Sequence, residues 1–323
     1  MDWSSGLGSL RRGLGTASRA AVARLHEYGP AMPGAAPAVP GRFVVARQFG
    51  INPGRLRLRA YLPVRAVRPG APLIVLLHGC GQDAGDFAAD TGWTGLADRL
   101  RLPLLLPEQQ EANHRQRCFH WFHLAETRRG QGEAASIAAM VAAMTARYQC
   151  DPRHVFIAGL SAGGAMAAAM LAAYPDVFCA GASFAGLPVG EATSLVQALT
   201  HMAHGGGNAT PAEWVAMARR IGPPGYTGPW PRLSVWSGAA DQVVAPENST
   251  RLAAQWCALH RLPGTPTHRT THRLAWGDAV ELWTLPGLGH AWAIGEHTGR
   301  ASPYAAPNTI DAVTEITRFW AIG

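Results

Sequence analysis

His154-Val155-Phe156-Ile157-Ala158-Gly159-Leu160-Ser161-Ala162-Gly163-Gly164, running on through alanines to Tyr174, is the stretch that decides the fold. His154–Ala158 reads as a buried strand, and Ala162–Tyr174 as a helix ended by Pro175. Between them, Gly159-Leu160-Ser161-Ala162-Gly163 fits G-x-S-x-G, the sharp strand-to-helix turn that lifts a serine hydroxyl above a sheet. The serine sits in strained backbone, and the flanking glycines remove side chains that would collide with strand and helix. Val155 to Tyr174 is uncharged over 20 residues, the length of a membrane span. Three glycines and a dense run of alanine favour a strand, a turn and a small-residue helix inside a soluble protein.

The same alternation extends in both directions. Upstream, Phe43–Phe49 and Leu56–Leu62 read as strands joined by Asn52-Pro53-Gly54. Leu73–Leu77 is an unbroken aliphatic run, as expected of a strand buried on both faces. Leu102–Leu106 is another, closed by Pro107, and Glu133–Tyr148 has helical spacing. Downstream, strands are expected at Cys179–Phe184, Leu233–Trp236 and Val280–Leu285, and helices at Pro246–Leu259 and Thr309–Trp320. Alternating strands and helices predict an α/β fold with a mostly parallel central sheet flanked by helices. Residues 1–40 combine scattered arginines with Pro30, Pro33, Pro37 and Pro40 and read as an N-terminal extension and linker, leaving 41–323 as the catalytic domain. Residues 187–232 form a long excursion between two strands, expected to be a cap-like, substrate-facing insertion.

Composition narrows the chemistry. The 323 residues are 48% hydrophobic and 15% charged, with a net charge of +7. None of the 28 basic residues is lysine, which excludes Schiff-base chemistry, a Walker A loop and a Ser-Lys dyad. The arginines form no stripe interleaved with aromatics, so no nucleic-acid partner is expected. Five cysteines without a CxxC motif fit neither a disulfide scaffold nor a zinc site. No cofactor or metal is expected: the pairs His120/His123 and His268/His272 lack accompanying ligands. Met1 to Leu25 holds no apolar run of signal-peptide length, so the cytoplasm is the expected compartment, with secretion as the alternative.

A nucleophilic serine needs a base, and the base needs an orienting acid. In a sheet of this kind they follow in the order Ser, Asp/Glu, His, each beyond a strand. Asp241 follows Leu233–Trp236 and the turn Ser237-Gly238-Ala239-Ala240. His290 follows Val280–Leu285 and Pro286-Gly287-Leu288-Gly289. Neither His268, His272 nor His297 directly follows a strand, Asp278 precedes one, and Glu247 lies in an expected helix. The backbone N–H of Ala162 and that of Cys80, in His78-Gly79-Cys80-Gly81, are the expected oxyanion donors. His78 precedes the serine in the chain and is expected to prop this loop by hydrogen bonding. Trp121 and Trp292 are the expected walls of the substrate pocket.

These residues resemble a known family. Leu77–Gln82 (LHGCGQ), Leu106–Gln110 (LPEQQ), Cys118–Phe122 (CFHWF), Gly130–Ile137 (GQGEAASI) and Gly159–Gly164 (GLSAGG) are similar to the poly(3-hydroxybutyrate) depolymerase family of esterases. Ala185–Pro188 (AGLP), Asp241–Val244 (DQVV) and Gly289–Trp292 (GHAW) extend the likeness over roughly residues 41–320. The resemblance implies an α/β-hydrolase fold with Ser161, Asp241 and His290 as triad. It adds a substrate class of carboxylic esters, including polyesters and oligomers of hydroxyalkanoic acids; the family also shades into feruloyl and acetylxylan esterases. An acyltransferase on the same fold and a non-catalytic binding protein are the rival classes. In relatives, the cysteines at positions matching Cys80 and Cys118 look like a disulfide pair, and the compartment decides whether they pair here. The chain departs from secreted members in having no signal peptide, no Thr-rich linker and no appended polymer-binding domain. Glu191 stands where the family has a cysteine. Soluble esters, oligomers or amorphous granules are therefore the expected substrates rather than crystalline polymer.

Overall fold

The computed structural model describes residues 41–46, 48–296 and 298–322. The expected extension 1–40 and the rival His297 lie outside the described residues. In chain order the elements are β1 (Arg42–Ala46), β2 (Arg57–Leu62), β3 (Leu73–Leu77), α1 (Ala84–Asp90), α2 (Trp93–Leu100), β4 (Leu104–Glu108), α3 (Leu124–Thr127), α4 (Gly132–Tyr148), β5 (Val155–Leu160), α5 (Ala162–Ala173) and β6 (Ala180–Phe184). There follow α6 (Leu195–His204), α7 (Pro211–Arg219), β7 (Arg232–Gly238), α8 (Glu247–Leu259), β8 (His268–Arg269), β9 (Arg273–Trp276), β10 (Val280–Leu285), β11 (Trp292–Ile294), β12 (Ala305–Pro307) and α9 (Ala312–Trp320). Ten strands form one sheet in the order β1-β2-β4-β3-β5-β6-β7-β10-β9-β8. From β4 to β10 the neighbours are parallel; β1, β2, β9 and β8 add antiparallel edges.

The chain leaves β3 toward β4 and then returns to β5 on the other side of β3. The crevice beyond the carboxyl ends of β3 and β5 is thus the switch point at which open α/β sheets bind ligands. Every residue of β3, β4, β5 and β6 is buried, as continuous apolar runs between two helical layers require. Every residue of α5 is buried as well, and it packs on β5 and β6. The uncharged stretch is therefore strand, turn and core helix. No helix among the described residues is long and apolar enough to cross a membrane.

The structure departs from expectation at several places. Pro107 does not close β4: it pairs opposite Leu58 of β2, and Glu108 opposite Arg57. The β3 ladder on the other side ends at Val75–Leu105, so Pro107 lies where only β2 remains alongside. His268 and His272 sit in an antiparallel hairpin, His268 in β8 and His272 in the turn before β9. The excursion holds two helices. Thr210 and Glu213 form a reciprocal capping box with Pro211 at the first turn of α7. α7 packs on α8 and α5, and the loop leading into α8 bonds back to α6 through Ala245 N–H to Met202 O (2.7 Å).

Five tryptophans join two phenylalanines in a continuous aromatic layer. Trp93 stacks on Trp320 (ring centroids 5.5 Å apart), Trp320 on Phe156 (4.8 Å), Phe184 on Trp236 (5.8 Å), and Trp236 on Trp283 (4.7 Å). Trp292 bridges the two groups, 6.1 Å from Trp93 and 5.1 Å from Phe184. It is fully buried. The expected pocket wall at Trp292 is corrected on that ground, because three aromatic neighbours, Phe87 among them, enclose the ring on the core side.

Candidate active site

Ser161 closes β5 with φ 58° and ψ −122°, a conformation that only tight surroundings hold in a non-glycine residue. Those surroundings are visible. Ser161 N–H donates to Phe184 O at 2.8 Å, and Ser161 O accepts from Ala165 N–H at 2.9 Å. A Cβ added at Gly159 would overlap the Gly163 carbonyl, and one at Gly163 would overlap the carbonyls of Leu77 and His78. Both glycines are there because backbone passes where a side chain would be. Ala162 is the first residue of α5, so its N–H has no partner within the helix and lies at the positive end of the dipole.

The strand ends bring the other two residues to the same edge. β7 runs on through Gly238, two residues past its expected end, so the turn before Asp241 is shorter than expected. The Gly238 position is pressed against the Leu288 and Gly289 carbonyls, and Ala240 N–H bonds to Leu288 O at 2.9 Å. The loops bearing Asp241 and His290 are thereby laced together. His290 Nδ1–H donates to Asp241 Oδ2 at 2.7 Å, and both side chains are buried. Asp241 Oδ1 accepts from the backbone N–H groups of Val243 (2.8 Å) and Val244 (2.9 Å). The carboxylate is locked, and with it the tautomer that leaves His290 Nε2 as acceptor. Ser161 itself is buried, 4% exposed.

The loop after β3 lies against the serine: a Cβ at Gly79 would come 3.5 Å from Ser161 Cβ. His78 is fully buried and braces this loop. Its Nε2 accepts from Gln109 N–H (3.1 Å), which puts the proton on Nδ1, donating to Gly79 O (2.8 Å). Burial pushes its pKa down to about 4, so the ring is neutral. Gln82 Oε1 accepts from Gly79 N–H at 2.6 Å. A disulfide joins Cys80 to Cys118, and Arg117 Nη2 donates to Gly81 O at 2.9 Å. Trp121, three residues beyond Cys118, keeps 9% of its surface exposed. Tyr304 was given no role by the sequence, yet its hydroxyl would lie 3.3 Å from a Cβ at Gly81. Nothing in its local sequence signals that position.

The rivals stand elsewhere. Glu247 opens α8, Asp278 is exposed in the turn before β10, and His268 is exposed in β8.

The family model described as "Esterase PHB depolymerase" matches residues 56–273. The chain belongs to that family. It is 39% identical over 260 residues to poly(3-hydroxyalkanoate) depolymerase C of Paucimonas lemoignei, a match covering 78% of this chain and 62% of that protein. It is 33% identical over 269 residues to an acetylxylan esterase of Coprinopsis cinerea, covering 79% of this chain and 71% of the relative. Among solved structures, an acetyl xylan esterase from Aspergillus awamori superposes with a TM-score of 0.74 at 22% identity, over 87% of this chain and 99% of the other. The fold of this family member is the α/β-hydrolase fold, with a mostly parallel central sheet flanked by helices.

Proposed function

We propose that the protein is a serine esterase that hydrolyses carboxylic esters through an acyl-enzyme on Ser161. The observation that carries this is the strained Ser161 at the end of β5, on the same carboxyl edge of the sheet as the strand ends that precede a buried, hydrogen-bonded His290–Asp241 pair. In the mechanism, His290 Nε2 takes the proton as Ser161 Oγ attacks the ester carbonyl. Asp241 holds the Nδ1–H tautomer and stabilises the imidazolium that forms. The amides of Ala162 and Cys80 receive the oxyanion. His290 then protonates the leaving alcohol, and water repeats the sequence on the acyl-enzyme.

The preferred substrates are short-chain hydroxyalkanoate esters and oligomers, supported by family membership and by the 39% identity to the depolymerase. Trp121 is proposed as a wall of the pocket and residues 187–232 as the insertion bordering it. Support for the latter is the contact of α6 with the loop between Asp241 and α8. The Cys80–Cys118 disulfide favours an oxidising compartment over the cytoplasm. A panel of 3-hydroxybutyrate oligomers, methyl ferulate and acetylated xylan tests the substrate class. The oligomers should show the highest kcat/KM. A preference for ferulate or acetylxylan above them would overturn that class and leave the serine esterase standing. Addition of acceptor alcohols should leave free acid as the main product, and dominant transfer to the alcohol would make it an acyltransferase.

A further inference from the structure

Buried polar groups are expensive unless every one is partnered, so a buried network that reaches an active-site loop invites a reason. Glu133 is such a group. It lies in the first turn of α4, is 1% exposed, and takes no part in the chemistry described above. Its Oε1 accepts from Gln109 Nε2 (2.5 Å) and His120 Nδ1 (2.6 Å), and its Oε2 accepts from His120 N–H (2.9 Å). Three donors converge on one carboxylate. Burial, with the charge of Glu126 in the same direction, drives the Glu133 pKa upward against the hydrogen bonds and charge of His120. Burial also pulls His120 down, but the contact with Glu133 outweighs it and the net direction is up.

From Glu133 two routes lead to the loop beside Ser161. Gln109 is itself fully buried, and its backbone N–H donates to His78 Nε2; His78 Nδ1–H donates to Gly79 O. Gln109 Nε2 also reaches Cys118 O (3.3 Å), and Cys118 is bonded to Cys80. On the other side, His120 directly precedes Trp121. One carboxylate therefore ties down the proposed oxyanion loop and the proposed wall loop together.

We propose that Glu133, acting through Gln109 and His120, is a positioning residue that sets the oxyanion-binding geometry at Cys80. This rests on the esterase reading of Ser161. An acceptor-only carboxylate is what the site requires. Glutamine has the same shape, but its amide nitrogen would meet a donor, so Glu133→Gln breaks the network at constant volume. Asparagine can place an N–H where His120 Nδ1–H stands, so His120→Asn keeps the donor that His120→Ala removes.

The test measures p-nitrophenyl butyrate hydrolysis, inhibition by a trifluoromethyl ketone, and thermal unfolding. The ketone forms a tetrahedral oxyanion adduct and reports the hole itself. Glu133→Gln should lower kcat by roughly ten- to a hundredfold and weaken the ketone by a similar factor, because displaced oxyanion donors are felt in the transition state. KM should stay within about threefold. His120→Ala should fall in the same way, and His120→Asn should recover to within a few-fold. Unchanged kcat and ketone affinity in both Glu133→Gln and His120→Ala would overturn the proposal. So would equal loss in His120→Ala and His120→Asn, which marks mere packing. If Glu133→Gln does not fold, the His120 pair decides alone. A Ser161→Ala variant run alongside separates the two levels: undiminished hydrolysis there sinks the esterase reading, whatever Glu133 does.

Discussion

Asp241→Asn is the perturbation whose outcome the geometry dictates most closely. Asn offers one oxygen and one NH2 where Asp241 offers two oxygens. Oδ1 is fixed by two backbone donors, Val243 N–H at 2.8 Å and Val244 N–H at 2.9 Å. Turning the NH2 toward them would leave two buried N–H groups without acceptors, at about 1–3 kcal/mol each. The new oxygen therefore stays on the valine amides and the NH2 faces His290 Nδ1. That nitrogen must now accept, so the proton moves to Nε2, and His290 can no longer deprotonate Ser161. A wrong-tautomer triad loses on the order of 10⁴ in kcat, equivalent to about 5.5 kcal/mol of transition-state stabilisation. The assay is steady-state hydrolysis of p-nitrophenyl butyrate by the purified variant, with circular dichroism to confirm the fold. KM should change little. A fall in kcat of less than about tenfold in a folded variant would refute the tautomer argument and the assignment of Asp241 with it.

Further outcomes follow from packing and burial. Gly163→Ala drives a methyl into the Leu77 and His78 carbonyls, so it should lower the melting temperature and activity together. Gly95→Ala, in α2 with nothing within 4 Å of the new carbon, should be neutral or stabilising by up to about 1 kcal/mol in denaturant unfolding. Trp292→Ala should cost about 3–5 kcal/mol of stability, as for a buried aromatic; a KM defect with unchanged unfolding would restore its place as a pocket wall. His78 is held near pKa 4 in the fold, below its ordinary 6.5. Between these values the unfolded chain binds a proton that the folded chain refuses. Stability should thus fall as pH drops from 6.5 toward 4, by up to about 3 kcal/mol, and urea titrations of His78→Gln should lack that component.

Much of this was legible because it is local. Strand, G-x-S-x-G turn and helix lie within one continuous stretch, and the turn residues before Asp241 and His290 mark strand ends on their own. The α7 helix is equally local, since Thr210-Pro211 followed by Glu213 is a capping-box signature, but it lies between Gly205-Gly206-Gly207 and Pro223-Pro224-Gly225, whose composition is that of loop. Trp292 departs from expectation for a different reason. Its neighbour His290 faces the site, and only the sheet-wide layer of Phe87, Trp93 and Phe184 shows that the indole turns inward. Glu133 lies in a motif that carries the family likeness, as do Gln109 and His120, but no pattern shows that the three meet. Its partners Gln109 and His120 are 24 and 13 residues away, on segments with no shared periodicity, and the bonds exist only once β4, α4 and the Cys118 loop have folded together.

The most direct test of the central claim is covalent labelling with a fluorophosphonate, read by intact mass and peptide mapping. One adduct on Ser161, abolished by His290→Ala as well as by Ser161→Ala and appearing in step with loss of ester hydrolysis, is the result expected of an activated nucleophile at the end of β5. A label on another residue, or full ester hydrolysis by a protein that takes no label, would contradict it.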